Sequence, residues 1–305
     1  MFVADAHCDT LYAIAIEKTA PEACVVTRER LAAGGVGIQT FALFAGKHGT
    51  RGTAYQDGLD MLAAIPRTRV EMLTGKLPDE APEVPMGILS CEGGEMLEGS
   101  LDRFDEFMRR ARLRMIALTW NFENEIGYPA VGGEKKGLKP FGRELLRAMD
   151  TAGVIADASH LNEAGFWDLI DHAEIPPMAS HSDCRWLCDV PRNLNRDQAK
   201  ALIERGGFIG VNFYSSFLRS DGPATLDDAV RHIDALCEMG GEHVVGFGSD
   251  FDGIESWPDG LGDPTGFPTL LEALRRRGYS EGVLADIAGG NLWRALKAAE
   301  AAARV

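Results

Sequence analysis

The sequence predicts an α/β fold, a distorted (β/α)8 barrel, from three observations. Short apolar runs alternate with amphipathic helical patterns along the 305 residues. About eight strand–helix units are present, and a barrel of that kind typically needs ~250 residues. No glycine-rich loop follows the first apolar run, although an open doubly wound sheet, the main alternative, usually has one there. We therefore expect a single barrel domain over residues 1–305.

The predicted strands are short apolar runs bounded by turn signals. They are Phe2–Ala6, Gly37–Leu43, Val84–Cys91, Met115–Thr119, Val154–Ala158, Pro177–Ser180, Phe208–Phe213 and Val244–Gly248. Apolar residues that recur at i, i+3 and i+4 predict the helices. These are Tyr55–Leu73, Leu101–Ala111, Phe141–Ala152, Asn162–His172, Arg196–Arg205 and Leu226–Met239. Glycines such as Gly153 follow several helices and act as stop signals.

The composition argues against several classes of partner. The formal net charge is −15, whereas proteins that bind nucleic acid or an anionic membrane need clustered Lys and Arg. We therefore expect neither as a partner. The first residues carry no basic region and turn polar after Val3, unlike a signal peptide. None of the six cysteines forms a CxxC pair, so free thiols and a cytoplasmic location are expected.

Residue types that bind divalent metals stand at the C-terminal ends of five predicted strands. They are His7 and Asp9 after the first strand, Glu92 after the third, His160 after the fifth, His181 after the sixth and Asp250 after the eighth. In a barrel these ends meet at one face, where active sites lie. His7 and Asp9 are two positions apart, so an extended backbone points both side chains the same way. The pattern predicts a site for Zn²⁺ or a similar ion, with Glu92 as the candidate bridge for two ions.

Any one of these residues has a more ordinary explanation. A histidine at a strand end is often only a polar loop residue, and a carboxylate there often caps a helix. The hypothesis depends on the coincidence of five strand ends. The remaining histidines are interpreted as structural or surface residues: His48, His172, His232 and His243. Cys8 and Cys91 adjoin proposed ligands and are predicted to be small core residues.

Several segments, in order, resemble the signature segments of the membrane (renal) dipeptidase family of zinc metallopeptidases. They are "DAHCDT", "LSCEGGEML", "DASH", "ASHSDCRWLCDVPRNLNRDQ" and "GFGSDFDGI". The resemblance runs from residue 2 to about residue 297, and bacterial cytoplasmic members are the closer likeness. It implies an amidohydrolase-like barrel, two Zn²⁺ ions and a homodimer. The implied reaction is dipeptide hydrolysis by a metal-bridging hydroxide, often tolerating a D-residue at the C-terminal position.

The resemblance also implies roles for individual residues. The implied metal ligands are His7 and Asp9 for one zinc, His160 and His181 for the other, and Glu92 as the bridge. Asp250 and Glu92 are the implied catalytic residues, and Asp250 moves a proton from water to the leaving amine. Arg192 is the implied ligand of the substrate carboxylate, since a guanidinium fork suits that group.

Two positions depart from the family pattern. Trp120, in "ALTWNFEN", stands where many members have a histidine that contacts the substrate. Phe217, in "NFYSSF", corresponds to a tyrosine of the mammalian pocket. Both are predicted substrate contacts, and Asn121, Asn124 and Tyr128 are candidates to replace the lost polar groups. The departures bear on the substrate range rather than on hydrolysis, because the ligand set is intact.

Two other functions fit the same residues. A barrel metallohydrolase could act on another small amide, a lactam or an N-acyl amino acid with the same metal centre. A barrel that has lost its chemistry could bind peptide or metal, and Trp120 slightly favours that hypothesis. The presence of Asp250 argues against it, because a metal-binding protein needs no proton carrier.

Overall fold

The computed structural model describes residues 1–46 and 53–304. Over these residues eight parallel strands close into a barrel, which confirms the predicted fold. With one further short strand, the strands are β1 (Val3–Asp5), β2 (Val36–Phe44), β3 (Glu71–Met72), β4 (Met86–Glu92), β5 (Met115–Ala117), β6 (Ile155–Asp157), β7 (Met178–Ala179), β8 (Phe208–Val211) and β9 (Val245–Phe247). Around the barrel the order is β1, β2, β4, β5, β6, β7, β8 and β9, and β9 pairs with β1 to close it.

Helices cover the outside of the barrel, as βα connections require. They are α1 (Thr10–Ala15), α2 (Arg28–Ala33), α3 (Ala54–Ala64), α4 (Leu101–Ala111), α5 (Pro140–Ala152), α6 (Glu163–His172), α7 (Arg196–Glu204), α8 (Ser215–Leu218), α9 (Leu226–Cys237), α10 (Phe267–Arg276), α11 (Glu281–Ala285) and α12 (Asn291–Ala302). A π-helical turn, Asp286–Gly290, leads into α12. In the part of the chain that the structure describes, no helix has the length and apolarity to cross a bilayer.

The short strand β3 was not predicted, and the helix predicted over Tyr55–Leu73 is wrong at its C-terminal end. The α-helix stops at Ala64 and continues only as the 3-10 turn Ile65–Thr68. Pro66 lies in that turn and has no amide hydrogen to continue the helical hydrogen bonds. Arg69 then takes a left-handed φ of 58°, which redirects the chain so that β3 pairs with the start of β4.

Local signals in the sequence explain where several helices begin and end. Asn162 accepts a hydrogen bond from the amide of Gly165 at 2.7 Å and begins α6. Asn195 and Gln198 form a reciprocal capping box at α7. Gly153 ends α5 with a φ of 73°, a conformation that costs glycine little. These caps fix the lengths of the βα connections and therefore the positions of the strand ends.

Buried polar contacts account for one of the histidines outside the strand ends. His232, on α9, accepts the amide hydrogen of Cys184 at Nδ1, and its Nε2 lies 3.0 Å from the carbonyl oxygen of Leu218. Both ring nitrogens are thus used inside the molecule. His48 lies outside the described residues. All six cysteines are described, and all are buried free thiols.

Candidate metal centre

The strand ends bring six predicted residues into one buried cluster at the C-terminal rim of the barrel. Its members are His7, Asp9, Glu92, His160, His181 and Asp250. His7 Nε2 lies 3.3 Å from Asp9 Oδ2 and 3.8 Å from Asp250 Oδ1. Glu92, the last residue of β4, contributes the carboxylate in the middle of this cluster. The arrangement is the one expected if strand ends of a closed sheet share one site.

The two oxygens of Glu92 face different histidines. Glu92 Oε2 lies 3.7 Å from His7 Nε2. Glu92 Oε1 lies 3.0 Å from His160 Nε2 and 3.5 Å from His181 Nε2. The Nε2 atoms of His160 and His181 are themselves 3.0 Å apart. Glu92 thus faces His7 with one oxygen and His160 and His181 with the other, and we call these two sides the half-sites. A carboxylate that bridges two ions presents its oxygens in this way.

Among the described residues, two groups of three have all their ligand atoms within 4.8 Å of one another. They are His7, Glu92 and His181, and His7, Asp9 and Asp250. This grouping differs from the implied pairing. His7 is grouped with His181 as well as with Asp9, Asp250 stands among the possible ligands, and neither group contains His160. His160 joins the cluster through its contacts with Glu92 and His181.

The electrostatics of the cluster suit a cation. Burial, together with the positive charges of Arg192 and His7, lowers the pKa of His160 and His181 well below the usual value. Burial, together with the charge of Asp9, raises the pKa of Glu92 well above its usual value. Burial also acts to lower the pKa of His7, but the carboxylates of Glu92 and Asp9 outweigh it and raise that pKa to about 10. The cluster therefore holds two neutral imidazoles, those of His160 and His181, and a protonated His7 beside carboxylates that need positive charge.

A divalent metal fits this donor set. Imidazole nitrogen and carboxylate oxygen are ligands that Zn²⁺ and related ions accept. Asp9 Oδ1 is buried and has no hydrogen-bond partner among the described residues, and such an orphaned oxygen is costly without a cation. The far sides of the imidazoles are held in place: His160 Nδ1 lies 2.9 Å from Asn121 Oδ1 and His181 Nδ1 lies 2.7 Å from Ser180 Oγ. Their Nε2 atoms consequently point towards Glu92.

The backbone is unusual at two of the site residues. His160 has a φ of 68° and Asp250 a φ of 64°. Non-glycine residues adopt this left-handed conformation at an energetic cost, and such residues cluster at functional sites. Side-chain contacts hold both: Asn121 contacts His160, and the Asn212 amide donates to Asp250 Oδ2 at 2.9 Å. Asn212 was not predicted, because nothing in the local sequence separates it from an ordinary loop residue.

Two glycines leave room for carboxylate side chains: Gly253 for Asp9 and Asp250, and Gly93 for Glu95. Gly253 was not predicted from the sequence. A Cβ atom on Gly253 would lie 2.1 Å from Asp9 Oδ2 and 2.7 Å from Asp250 Oδ1. Gly93, directly after Glu92, has a φ of 78°, and a Cβ there would lie 2.1 Å from a carboxylate oxygen of Glu95. Its position in "GSDFDG", three residues after Asp250, is the feature of the sequence that could have indicated Gly253 as a site residue.

A cavity of about 320 Å³ opens onto the cluster. Asp9, Glu92, His160 and Asp250 line it. Its other walls include the predicted substrate contacts Trp120, Asn121 and Phe217, together with Tyr12, Phe44, Tyr214 and Ile254, which were not predicted. The ring of Trp120 packs edge-on against Phe44, with 4.7 Å between centroids. The site therefore combines a polar floor with an aromatic wall.

Arg192 lies beside the cluster but faces a second, adjoining cavity of about 720 Å³ that shares His160. Its Nη2 donates to the carbonyl oxygen of His181 at 3.3 Å, and its guanidinium lies 5.5 Å from the ring centroid of Phe217. The Nε atom is buried and has no partner among the described residues. The side chain is 6% exposed, so its charge acts on the cluster in a medium of low dielectric constant.

Two further residues of the Trp120 loop lie away from the metal cluster. The Asn124 side chain accepts the amides of Ile126 and Gly127 and donates to the carbonyl oxygen of Leu118. It thus organises its own loop and does not line the 320 Å³ cavity. Tyr128, which is also absent from the walls of that cavity, lies under Lys139 at 4.8 Å. Neither Asn124 nor Tyr128 lines this cavity or the adjoining one, so the structure gives no support to either as a replacement substrate contact.

Comparison with known proteins matches the whole chain to one family. The family model described as membrane dipeptidase (peptidase family M19) matches residues 1–305. An uncharacterized protein in the pqqA 5′ region of Klebsiella pneumoniae is 41% identical over 197 residues, which cover 61% of this chain and 72% of that protein. An uncharacterized dipeptidase of Schizosaccharomyces pombe is 36% identical over 70% of this chain, but the match spans only about half of that relative's length, 53%.

Two solved structures resemble the chain over nearly its full length. The crystal structure of dipeptidase AC, a metallopeptidase, has a TM-score of 0.85 and 27% identity and covers 98% of each chain. A metallopeptidase from Rhodobacter sphaeroides, liganded with a phosphinate mimic of the dipeptide L-Ala-D-Ala, has a TM-score of 0.86 and 26% identity. That comparison covers 98% of this chain and 99% of the other.

Replacement of Gly253 by alanine tests whether the close approach of Asp9 matters for metal binding. The added Cβ would collide with Asp9 Oδ2, so we expect the affinity for zinc to fall about tenfold or more. Competition with a chelator measures that affinity. Gly75→Ala is the matched control, because nothing lies within 4 Å of a Cβ there. An unchanged affinity in G253A would contradict the role of Asp9 as a ligand.

Proposed function

The chain belongs to the membrane dipeptidase family, peptidase family M19, a family of peptide-bond hydrolases, and we propose from this that it is a zinc-dependent dipeptidase. The observation that carries the proposal is the position of Glu92, with one oxygen towards His7 and the other towards His160 and His181. Two ions that share a carboxylate lie about 3.5–4 Å apart in enzymes of this chemistry. Glu92 supports that assignment because its two oxygens serve separate half-sites.

The proposed metal ligands are the residues of the cluster. As the family resemblance implies, His7 and Asp9 would hold one ion, His160 and His181 the other, and Glu92 both. The contacts of Glu92 with His7 on one oxygen and with His160 and His181 on the other support this division. Zinc is the proposed metal because nitrogen and carboxylate ligands suit it, although other divalent ions accept the same donors. When bound, such a pair of ions lowers the pKa of a shared water molecule and polarises the scissile carbonyl group.

Asp250 is the proposed proton carrier. Asn212 donates to its Oδ2 at 2.9 Å, which leaves Oδ1 towards the cluster, 3.8 Å from His7 Nε2. Burial raises the pKa of Asp250 above its usual value, and the neighbouring charge of His7 opposes that rise only in part. A carboxylate with a raised pKa can take a proton from the attacking water and deliver it to the leaving amine nitrogen. A Cβ on Gly253 would lie 2.7 Å from Oδ1, so the glycine keeps that oxygen free of a side-chain contact from this position.

The cavity supports a small substrate with a free carboxylate. Its volume of about 320 Å³ lies at the lower end of the range for small-molecule sites. Arg192 lines the adjoining cavity, which shares His160 with this one, and is the proposed partner of the substrate carboxylate. It is a buried cation whose Nε has no partner among the described residues. Trp120, Asn121 and Phe217 are the proposed contacts with the rest of the substrate.

Other parts of the proposal depend on relatives rather than on the site. The ligand of the R. sphaeroides metallopeptidase, a mimic of L-Ala-D-Ala, supports the proposal that a D-residue is accepted at the C-terminal position. The resemblance to bacterial members of the family supports a homodimer in the cytoplasm. The match of the family model to residues 1–305 supports a single domain.

Metal removal combined with a dipeptide panel tests the proposed function. Chelation should abolish cleavage of L-L and L-D dipeptides, including Ala-Ala, because neither water activation nor carbonyl polarisation is then available. Zinc should restore the rate, which a ninhydrin or coupled amino-acid assay measures. A folded, zinc-loaded protein that cleaves no member of the panel would be incompatible with the proposal.

Asp250→Asn is the matched variant for this test. The amide has the shape of the carboxylate but cannot carry the proton, so turnover should fall by 10²-fold or more while zinc remains bound. Loss of turnover in Asp250→Asn with zinc retained indicates an enzyme rather than a barrel that only binds metal or peptide. Wild-type protein that binds dipeptides with zinc present and turns none over would identify the latter.

A second candidate function keeps the metal centre and changes the substrate to another small amide, a lactam or an N-acyl amino acid. The observation that favours it is the aromatic wall formed by Trp120 and Phe44, which brings few hydrogen-bond donors to the substrate. This candidate does not need Arg192 as a carboxylate ligand.

Arg192→Ala separates the two candidates. For a dipeptide we expect KM to rise about tenfold or more, because a charge-assisted hydrogen bond to the carboxylate is lost, with a smaller change in kcat. The corresponding dipeptide amide lacks that charge and is the control substrate, and its KM should change little. Equal KM values for wild type and variant with the dipeptide would favour the second candidate.

A further inference from the structure

A buried carboxylate stands behind the two histidines of one half-site. Asp157, the last residue of β6, is 2% exposed. Its Oδ1 accepts the amide hydrogens of Ser159 at 2.8 Å and Ser180 at 2.9 Å. Its Oδ2 accepts the hydroxyl hydrogen of Ser180. One side chain therefore joins the segments that follow β6 and β7, through the serines that directly precede His160 and His181.

The hydroxyl of Ser180 connects this carboxylate to an imidazole. Ser180 Oγ lies 2.7 Å from His181 Nδ1. A hydroxyl has one hydrogen, and at Ser180 that hydrogen goes to Asp157. The contact with His181 must therefore have Nδ1–H as the donor and Ser180 Oγ as the acceptor. The proton of a neutral His181 is thereby on Nδ1, and Nε2 presents a lone pair towards Glu92, 3.5 Å away.

A similar carboxylate at the opposite side of the rim lacks that connection. Asp5, the last residue of β1, accepts the amide of Ser249 at 2.8 Å and its hydroxyl at 2.5 Å. Ser249 precedes Asp250 as Ser180 precedes His181. The second contact of the Ser249 hydroxyl is the carbonyl oxygen of His7 at 3.2 Å, not an imidazole nitrogen. Both serine hydroxyls thus donate to a buried aspartate, but only the Ser180 hydroxyl also contacts a histidine ring.

We propose that Asp157 is a positioning residue of the metal centre, which acts through the Ser180 hydroxyl to hold His181 in the tautomer that frees Nε2 for metal. The inference rests on the proposed function only in that it takes His181 as a ligand. Without this hydrogen-bond chain, the ring proton could occupy Nε2, and that population could not bind the ion. Outer partners of metal-binding histidines typically change affinity by 10–100-fold.

The test compares Ser180→Ala, Asp157→Asn, the double variant and the matched control Ser249→Ala. The first readout is the tautomer of His181 in metal-free protein near pH 7.5, from ¹⁵N shifts of labelled histidine assigned with His181→Gln. The second readout is zinc affinity by chelator competition. Ser180→Ala covers the case in which Asp157→Asn does not fold, since it removes the hydroxyl and leaves the two amide contacts of Asp157.

In wild type we expect the Nδ1-protonated form of His181. Ser180→Ala and Asp157→Asn should each give mixed tautomers and lose zinc affinity by about 10–100-fold. The double variant should lose little more than the larger single loss, because both changes break one chain. Ser249→Ala should keep the wild-type tautomer of His181. An unchanged tautomer and affinity in Ser180→Ala, or an equal tautomer change in Ser249→Ala, would overturn the inference.

Neither readout needs a substrate, so the inference and the proposed function fail separately. A wild-type protein inert on dipeptides, with zinc affinity that depends on Ser180, would overturn the function and leave the inference standing. Dipeptide cleavage by wild type, with an unchanged tautomer and zinc affinity in Ser180→Ala, would support the proposed function and overturn the inference about Asp157.

Discussion

The structure depends on one electrostatic constraint, the burial of the Glu92 carboxylate between three histidines. Glu92 is 3% exposed, and Asp9 and Asp250 add two more carboxylates within the same buried cluster. Burying several such charges costs several kcal/mol each unless positive charge compensates them. Arg192 and a protonated His7 offset this cost in part, and bound divalent cations would add further positive charge. The cluster is therefore arranged for cations, at the expense of the stability of the metal-free fold.

The barrel makes this arrangement possible because closure brings distant parts of the chain to one rim. The pairing of β9 with β1 puts residues 7 and 250 side by side, and the closed sheet brings them to the rim that holds residues 92, 160 and 181. The strand ends are then fixed by a second layer of polar side chains, in which Asp5 and Asp157 each hold two adjacent strands. Rigid placement of this kind is what a metal site requires, since ligand positions determine both affinity and geometry.

Much of the fold was predictable from the sequence, and the reasons are local. Helix caps such as Asn162 and Asn195 and the stop at Gly153 act within a few residues, so their signals are readable. The end of α3 was predicted wrongly because the apolar pattern continues past Pro66 and β3 forms only by pairing with β4. The candidate ligands were found because ligand-type residues end several strands. Asn212 and Gly253 were missed, since their importance comes from atoms that lie far away in the sequence or only meet in the folded chain.

We propose that two metal ions share Glu92, and anomalous diffraction from zinc-loaded crystals would locate those ions. Data collected on both sides of the zinc absorption edge locate each ion independently of any substrate. We expect two peaks, one on each side of the Glu92 carboxylate, with His7 and Asp9 beside one and His160 and His181 beside the other. A single ion, or two ions of which neither contacts Glu92, would contradict it.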